Sequence, residues 1–573
     1  MDIRSIYRRI LSKEDPPEGY EYQIRFWFPF AMVVGLVVGS VMAGFHIFIV
    51  SYGLLFPSFH PLAIAAIGGI AIIGLVILKI ERPDQNGISY VIRQKHQGEE
   101  VPFEVGKKKL LSSGIGLGSG LPMGREGPAL IIGSALTSLL SKWMNVSPDL
   151  RTRAITLGAA ASTGALFQAP FGSAVFAAEV PYKEDSDEPM MMGAFLSSVS
   201  AAVTAKTLIA IYSSFFYPVP FSVFVVPEIP SLPVNIPTAV LALVFGGAVG
   251  IIGRFFIWFY YRYSDGMQKF PVLIRMTLGL LLSLLTLGIG VFIFQDSFFI
   301  PHLSFYSQIT FFITNASPRL MWTMVSLLFL QMIATTAVIG VGFPGGIFGP
   351  SLTVGGLAGI IFGLLVAPHS VSLIAAWAIV GMSASHTATT KTPIASVLLI
   401  LEITGLPLLV IPIVLANLSS YAFSGSDSLY RGQLTTRTMK IMAELSKFDH
   451  KEFFKIEEVM TPRGKVVYVS IDQTIGDVLP KLRKSGKRDF PILQGDRVVG
   501  MLHLENLDHA SPNDPIKKYM EKPTFVSPQM SGKAAIYHML EADVERSPVV
   551  DDEGHLQGIV SIRDIVRGVE RNI

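Results

Sequence analysis

The sequence predicts an α-helical polytopic membrane protein followed by a soluble α/β module, and three observations carry that class. Half of the 573 residues are hydrophobic and 16% are charged, with a mean hydropathy of +0.50, a balance unsuited to a soluble globule. Apolar runs of spanning length, roughly 17–25 residues, recur at 26–52, 62–79, 191–213, 237–261, 274–296 and 321–341. Beyond Lys447 such runs stop, and a strand–helix–strand pattern appears twice at a period of about 60 residues.

The same composition excludes other classes. Lys+Arg total 46 against 43 Asp+Glu, so bulk charge gives no sign of a nucleic-acid partner. Without cysteine there is no disulfide framework, thiol chemistry or Cys-ligated metal, and no metal site is predicted. Positions 1–23 hold Arg4, Arg8, Arg9 and Lys13 without an apolar core. They are not a signal peptide, and 1–25 is expected to be a cytosolic segment.

Loop charge sets the expected orientation. No Lys or Arg falls between Leu208 and Gly253 or between Met276 and Pro318, whereas 82–109 holds Arg82, Arg93, Lys95 and Lys107, Lys108 and Lys109. By the positive-inside rule the first two loops face outward and the third inward. Both termini are then cytosolic, and the chain is a multi-pass protein of the lipid bilayer.

Between the long runs lie apolar stretches broken by Gly, Pro and Ser, at 110–122, 127–143, 152–166, 171–180, 347–366, 373–384, 393–403 and 405–423. These are expected to be too short or too interrupted to span alone. Broken helices persist at membrane depth only inside protein or around a water-filled cavity, and their presence in both halves of a chain points to a site near mid-membrane.

Gly124-Arg125-Glu126-Gly127-Pro128 opens one such helix. Proline suits the first helical turn, and amides at a helix N-terminus together with the macrodipole favour an anion. A glutamate there is itself an anion able to fill the site, unless it is only a helix cap. Gly342-Phe343-Pro344-Gly345-Gly346-Ile347-Phe348-Gly349-Pro350 repeats the logic in the second half; alone it could also be a membrane kink.

Together these segments closely resemble the signatures of the CLC family of chloride channels and chloride/proton exchangers, over about 26–447. Further matches are Gln168-Ala169-Pro170 followed by Glu179, Lys391-Thr392-Pro393 followed by Leu401-Glu402-Ile403-Thr404, and Ser428-Leu429-Tyr430. The resemblance implies an inverted-repeat fold of broken, tilted helices, a homodimer, and transport of chloride or another small anion, with no enzymatic activity and no required cofactor. It implies that Glu126 is the gating glutamate, with Gly124, Arg125, Gly127 and the amides of Ile347 and Phe348 around the anion. Tyr430 would donate its hydroxyl from the inner side, and Glu179 and Glu402 would be structural.

Two positions depart from the family. The inner serine motif falls on Gln85-Asn86-Gly87-Ile88-Ser89, so Asn86 is expected as an inner donor; this opens nitrate, bromide or fluoride beside chloride. The inner proton-passing glutamate of the exchangers is replaced by Val180, which cannot titrate. Channel-like conduction is therefore expected ahead of proton exchange; Glu184, Asp185, Asp187 and Glu188 follow closely, and unless one of them substitutes for the missing acid their loop is expected to be only a solvated connection.

The C-terminal repeat resembles tandem CBS domains, at 456–510 and 511–573. Ser561-Ile562-Arg563-Asp564 fits the family's nucleotide-binding ending, which implies an adenine nucleotide (ATP, ADP or AMP) near Ser561 and Asp564, or else a module that serves only as a dimerisation platform; the first copy, His503-Leu504-Glu505-Asn506, lacks the acid. Two other classes fail on the sequence. An intramembrane metalloprotease needs His-Glu-x-x-His, which is absent, and a magnesium transporter needs converging carboxylates where this chain offers amides.

Overall fold

Proline decides where several helices start, because its missing N–H has no intrahelical partner at the first turn. The structure is a computed structural model and describes residues 27–55, 59–146, 148–219, 232–233, 235–294, 305–314, 316–436, 454–485, 487, 489–507, 510–542, 544, 546–561 and 564–565. The expected cytosolic segment 1–25 lies outside them.

In the first of two units, Met1–Arg437, the first half comprises α1 (Phe28–Leu54), α2 (Pro61–Ile77), α3 (Gly87–Gln97), α4 (Phe103–Gly118), α5 (Glu126–Trp143), α6 (Pro148–Phe167), α7 (Pro170–Glu179) and α8 (Glu188–Phe215). The second comprises α9 (Ile236–Met267), α10 (Val272–Phe294), α11 (Phe305–Thr314), α12 (Met321–Ile339), α13 (Phe348–Val366), α14 (Val371–Thr390), α15 (Pro393–Thr404) and α16 (Val410–Phe423). Proline stands at the first or second position of α1, α2, α7, α9 and α15.

Seven helices among the described residues are long and apolar enough to cross a membrane, and they include Phe348–Val366 and Val371–Thr390. This corrects two expectations. The runs at 347–366 and 373–384 are expected to be too short or too interrupted, yet α13 is one continuous helix through its glycines, and α14 continues to Thr390 because its polar residues bond within the helix: Thr389 Oγ1 donates to Ser385 O (2.8 Å) and Thr390 Oγ1 to His386 O (2.7 Å). Such hydroxyls lower hydropathy without breaking the helix. The run at 62–79 is a helix of 17 residues, at the lower end of spanning length.

Two close helix pairs repeat across the halves. A Cβ on Gly133 of α5 would lie 2.3 Å from Gly158 O of α6, and one on Gly158 equally close to Gly133 O; Gly355 of α13 and Gly381 of α14 stand in the same relation at 2.2 Å. Gly133 lies seven residues after Glu126, the start of α5, and Gly355 seven after Phe348, the start of α13. The shorter helices reciprocate as well. Glu179, ending α7, accepts from Ala395 N at the head of α15 (2.8 Å), and Glu402, near the end of α15, accepts from Phe171 N (3.1 Å) and Gly172 N (2.7 Å) at the head of α7. These exchanges mark the inverted repeat.

The second unit, Thr438–Ile573, holds two small sheets. In one, β2 (Val469–Ser470) runs parallel to β3 (Asp489–Gln494), which pairs antiparallel with β4 (Arg497–His503). In the other, β6 (Leu556–Ser561) lies between β5 (Arg546–Val550) and β1 (Thr461–Pro462). Helices α17 (Ile475–Lys484) and α18 (Gly532–Glu541) follow the repeat. The copies interlock: β1 pairs with β6, Thr461 opposite Ile559, and Ile456 packs with Val526, Ile536 and Val560. The start of the first sequence repeat thus completes the core of the second.

Candidate functional site

Two chain crossings meet where α5 and α13 begin. Gly124 N donates to Gly346 O (2.6 Å) and Gly346 N to Gly124 O (2.7 Å), an antiparallel bridge between the signature segments. The approach requires glycine, since a Cβ on Gly346 would lie 2.6 Å from Gly127 N and one on Gly127 2.9 Å from Gly346 Cα. The bridge sets the heads of the two helices side by side. Ile347 caps α13, whose first amides, those of Phe348 and Gly349, precede any intrahelical partner.

Glu126, 1% exposed, turns its carboxylate onto that head: Oε2 accepts from Gly349 N at 3.3 Å. A Cβ on Gly124 would stand 2.2 Å from the same oxygen, so the carboxylate lies directly over Gly124. A negative group at the N-terminus of the opposite helix is the placement that amides and macrodipole favour. Tyr430, 3% exposed, lies in a turn within electrostatic reach of Glu126. Its hydroxyl has no hydrogen-bond partner among the described residues. The ring of Phe348 is enclosed by Phe167 (5.1 Å between centroids), Phe176 (5.4 Å) and His386 (4.3 Å).

Three expected ligands are used otherwise. The Gly124 amide is spent in the bridge. Arg125 sends its guanidinium to Leu166 O (3.0 Å) and over the Phe167 ring, which braces the end of α6. Asn86 was expected to offer an amide donor to the anion, but Nδ2 donates to Gly342 O (2.6 Å) and Phe343 O (3.3 Å). Its Oδ1 accepts from Lys109, which also pairs with Glu81; Ser112 Oγ donates to that glutamate's second oxygen. Lys109 and Glu81 are 1% and 2% exposed. This buried network, missed in the sequence, ties the segment before α3 to the signature loop. A buried lysine with a carboxylate well upstream was its only signal.

Val180 lies at the end of α7, 3% exposed, and lines a cavity of about 20 Å³ with Ile88, Ile155, Lys95 and Thr156. Gln433, also unforeseen, donates to Val180 O (2.8 Å) and Thr390 O (2.9 Å). It closes the ends of α7 and α14 over one another. The loop after Val180 is not wholly solvated as expected. Asp187 is buried, salt-bridged to Lys95 and bonded by Thr156 Oγ1. Burial pushes its carboxyl up, but Lys95, Arg153 and these hydrogen bonds outweigh that and hold it below the ordinary carboxylate value. It stays ionised, and so is a poor stand-in for a proton-passing acid.

In the second unit Ser561 N and Oγ donate to Asp564 Oδ2 (3.0 and 2.6 Å), which shapes the turn after β6.

A carboxylate held between facing helix heads, inside paired broken helices, defines a polytopic transport protein of inverted-repeat design. Residues 68–425 match the family model described as voltage gated chloride channel; that is more than half of the chain, which belongs to this family and is an anion transporter. Residues 456–513 and 516–571 each match the CBS domain. The chain is similar to the H(+)/Cl(-) exchange transporter ClcA of Vibrio cholerae serotype O1, at 29% identity over 56% of this chain and 68% of that one. It is also similar to the chloride channel protein CLC-f of Arabidopsis thaliana, at 24% over 61% and 45% respectively. Among solved structures, a CLC-type fluoride/proton antiporter shares the fold at TM-score 0.62 and 21% identity, over 73% of this chain and all of that one. A eukaryotic CLC transporter does so at 0.54 and 16%, over 94% and 97%.

Proposed function

We propose that the protein is a homodimer that moves chloride, or a similar small anion, through one pathway per subunit gated by Glu126. The observation that carries this is the Glu126 carboxylate resting on the Gly349 amide. It holds the place an anion would take, and protonation removes the charge that keeps it there. The amides of Ile347 and Phe348 hold the central anion, Gly127 allows the helix heads to meet, and the Tyr430 hydroxyl, without a partner among the described residues, faces the anion from the inner side. Asn86 and Arg125 brace the surrounding loops. The CBS pair and both termini are cytosolic, and adenine nucleotide binds near Ser561 and Asp564.

Channel-like conduction fits best, because Val180 cannot carry a proton and Asp187 is locked to Lys95. Proton exchange is the second reading, favoured by the exchange activity in the names of the similar proteins above. Reconstituted vesicles with a chloride gradient and a pH electrode separate the two. The expected result is chloride efflux without uphill proton movement; sustained chloride-driven proton uptake would reverse the assignment.

A further inference from the structure

One buried titratable side chain beside the anion-holding turn is not used by the gate. His386 of α14 is 1% exposed and meets Phe348 edge-on at 4.3 Å and Phe176 at 5.6 Å between ring centroids. Phe348 begins α13, and the following amide holds Glu126. The imidazole is therefore in ring contact with a residue whose amide is assigned to the anion.

Its hydrogen bonds leave one nitrogen over. Nδ1 lies 2.6 Å from Ser396 Oγ, while Ser396 Oγ donates to Thr392 O, also at 2.6 Å. A hydroxyl has one hydrogen. With that hydrogen on the Thr392 carbonyl, Nδ1 carries the imidazole proton and donates to Ser396, so Nε2 is a lone pair. Nε2 has no partner among the described residues, a costly state for a buried acceptor and one that proton binding changes.

Of the charged groups on the elements packed against α14, Asp265 of α9 pairs with Arg431, α9 also carries Arg254 and Arg262, and α16 carries no acid, lysine, arginine or histidine. α13 contributes no titratable side chain. On α7, Glu179 accepts from Ala395 N; on α15, Glu402 accepts from Phe171 N and Gly172 N. At the end of α14 itself, Lys391 donates to Ser424 Oγ (2.5 Å). Beyond the first turn of α13, Glu126 sits on Gly349 N. A charged His386 would find its counter-charge in the transported anion.

We propose that His386 binds a proton in concert with the anion at the head of α13, so that each ligand raises the affinity of the other. This rests on the assignment of the Ile347 and Phe348 amides to the anion. The coupling is reciprocal by thermodynamic necessity, and it supplies a proton site within the membrane unit where Val180 offers none.

The test uses full-length Glu126→Gln protein, which removes the competing carboxylate, with chloride affinity measured by calorimetry from about pH 8 to about pH 4. Beside it stand the double variants Glu126→Gln/His386→Leu, which suits the apolar surroundings, and Glu126→Gln/His386→Gln, which keeps a partner for Ser396. In the single variant chloride should bind more tightly as pH falls, by up to about tenfold per pH unit, with proton uptake seen as a buffer-dependent heat. Both effects should vanish in the double variants while affinity at the alkaline end is kept. A pH-independent affinity in Glu126→Gln, or the same slope in both double variants, would overturn the proposal. Complete loss of chloride binding in Glu126→Gln would instead contradict the amide site itself, and this inference with it.

Discussion

Glu126 and Tyr430 are polar side chains buried among apolar ones, and the partner of each decides what its burial means. Glu126 is satisfied by an amide of the opposite helix, whereas the Tyr430 hydroxyl has no protein partner among the described residues. An anion would supply one, and tyrosine is neutral and presents a single O–H. Tyr430→Phe keeps the ring and should weaken chloride binding by about 0.5–1.5 kcal/mol, the scale of one hydrogen bond. An unchanged affinity by calorimetry would take Tyr430 out of the pathway. At this scale the sequence told residue types and their neighbourhood, but not partners. Glu126 and Tyr430 stood out by motif; Asn86 stood out equally, and its donors go to two carbonyls because Lys109 claims its oxygen. Which groups meet across more than 200 residues of chain is set by packing that a linear motif does not contain.

The elements are held by backbone approaches that no side chain could fit between. Where Gly381 faces Gly355 O at 2.2 Å, Gly381→Ala should force α13 and α14 apart and lower the melting temperature in detergent. The cost is on the order of 1–3 kcal/mol, as for overpacking elsewhere. Gly44→Ala is the control: a Cβ there meets nothing within 4 Å, and alanine favours a helix interior by roughly 0.5–1 kcal/mol. Equal melting shifts for the two would contradict the account of the helix pairs. Long helices such as Ile236–Met267 were legible from hydropathy. The extent of α14 was not, since its Ser and Thr hydroxyls lower the hydropathy of the run while bonding to their own helix. The helix Gly87–Gln97 was missed for the opposite reason: it is short and mixes its apolar residues with Arg93, Lys95 and His96.

At the scale of the whole chain, the two units invite separate measurements. In the CBS unit Asp489 joins the copies: His503 Nδ1 lies 2.8 Å from one oxygen and Arg546 Nη1 donates to the other at 3.0 Å. Burial raises its carboxyl, but the His503 bond and the Arg546 charge outweigh that and leave it below the usual value. A depressed carboxyl stabilises the fold above its unfolded value, about pH 4, and that stability is lost as pH falls through the folded value. Thermal melts of segment 450–573 should therefore show an acid loss that is smaller in Asp489→Asn; an identical slope would remove this pair from the account. The same segment should bind adenine nucleotide, more weakly in Asp564→Ala, and absence of binding at millimolar ATP, ADP and AMP would leave it a structural role alone. The central claim, that the Glu126 carboxylate stands where an anion would, is tested most directly by anomalous diffraction from bromide-soaked crystals of wild type and Glu126→Ala. The account predicts an additional bromide within hydrogen-bond reach of Gly349 N in Glu126→Ala and none there in wild type; the same bromide positions in both would contradict it.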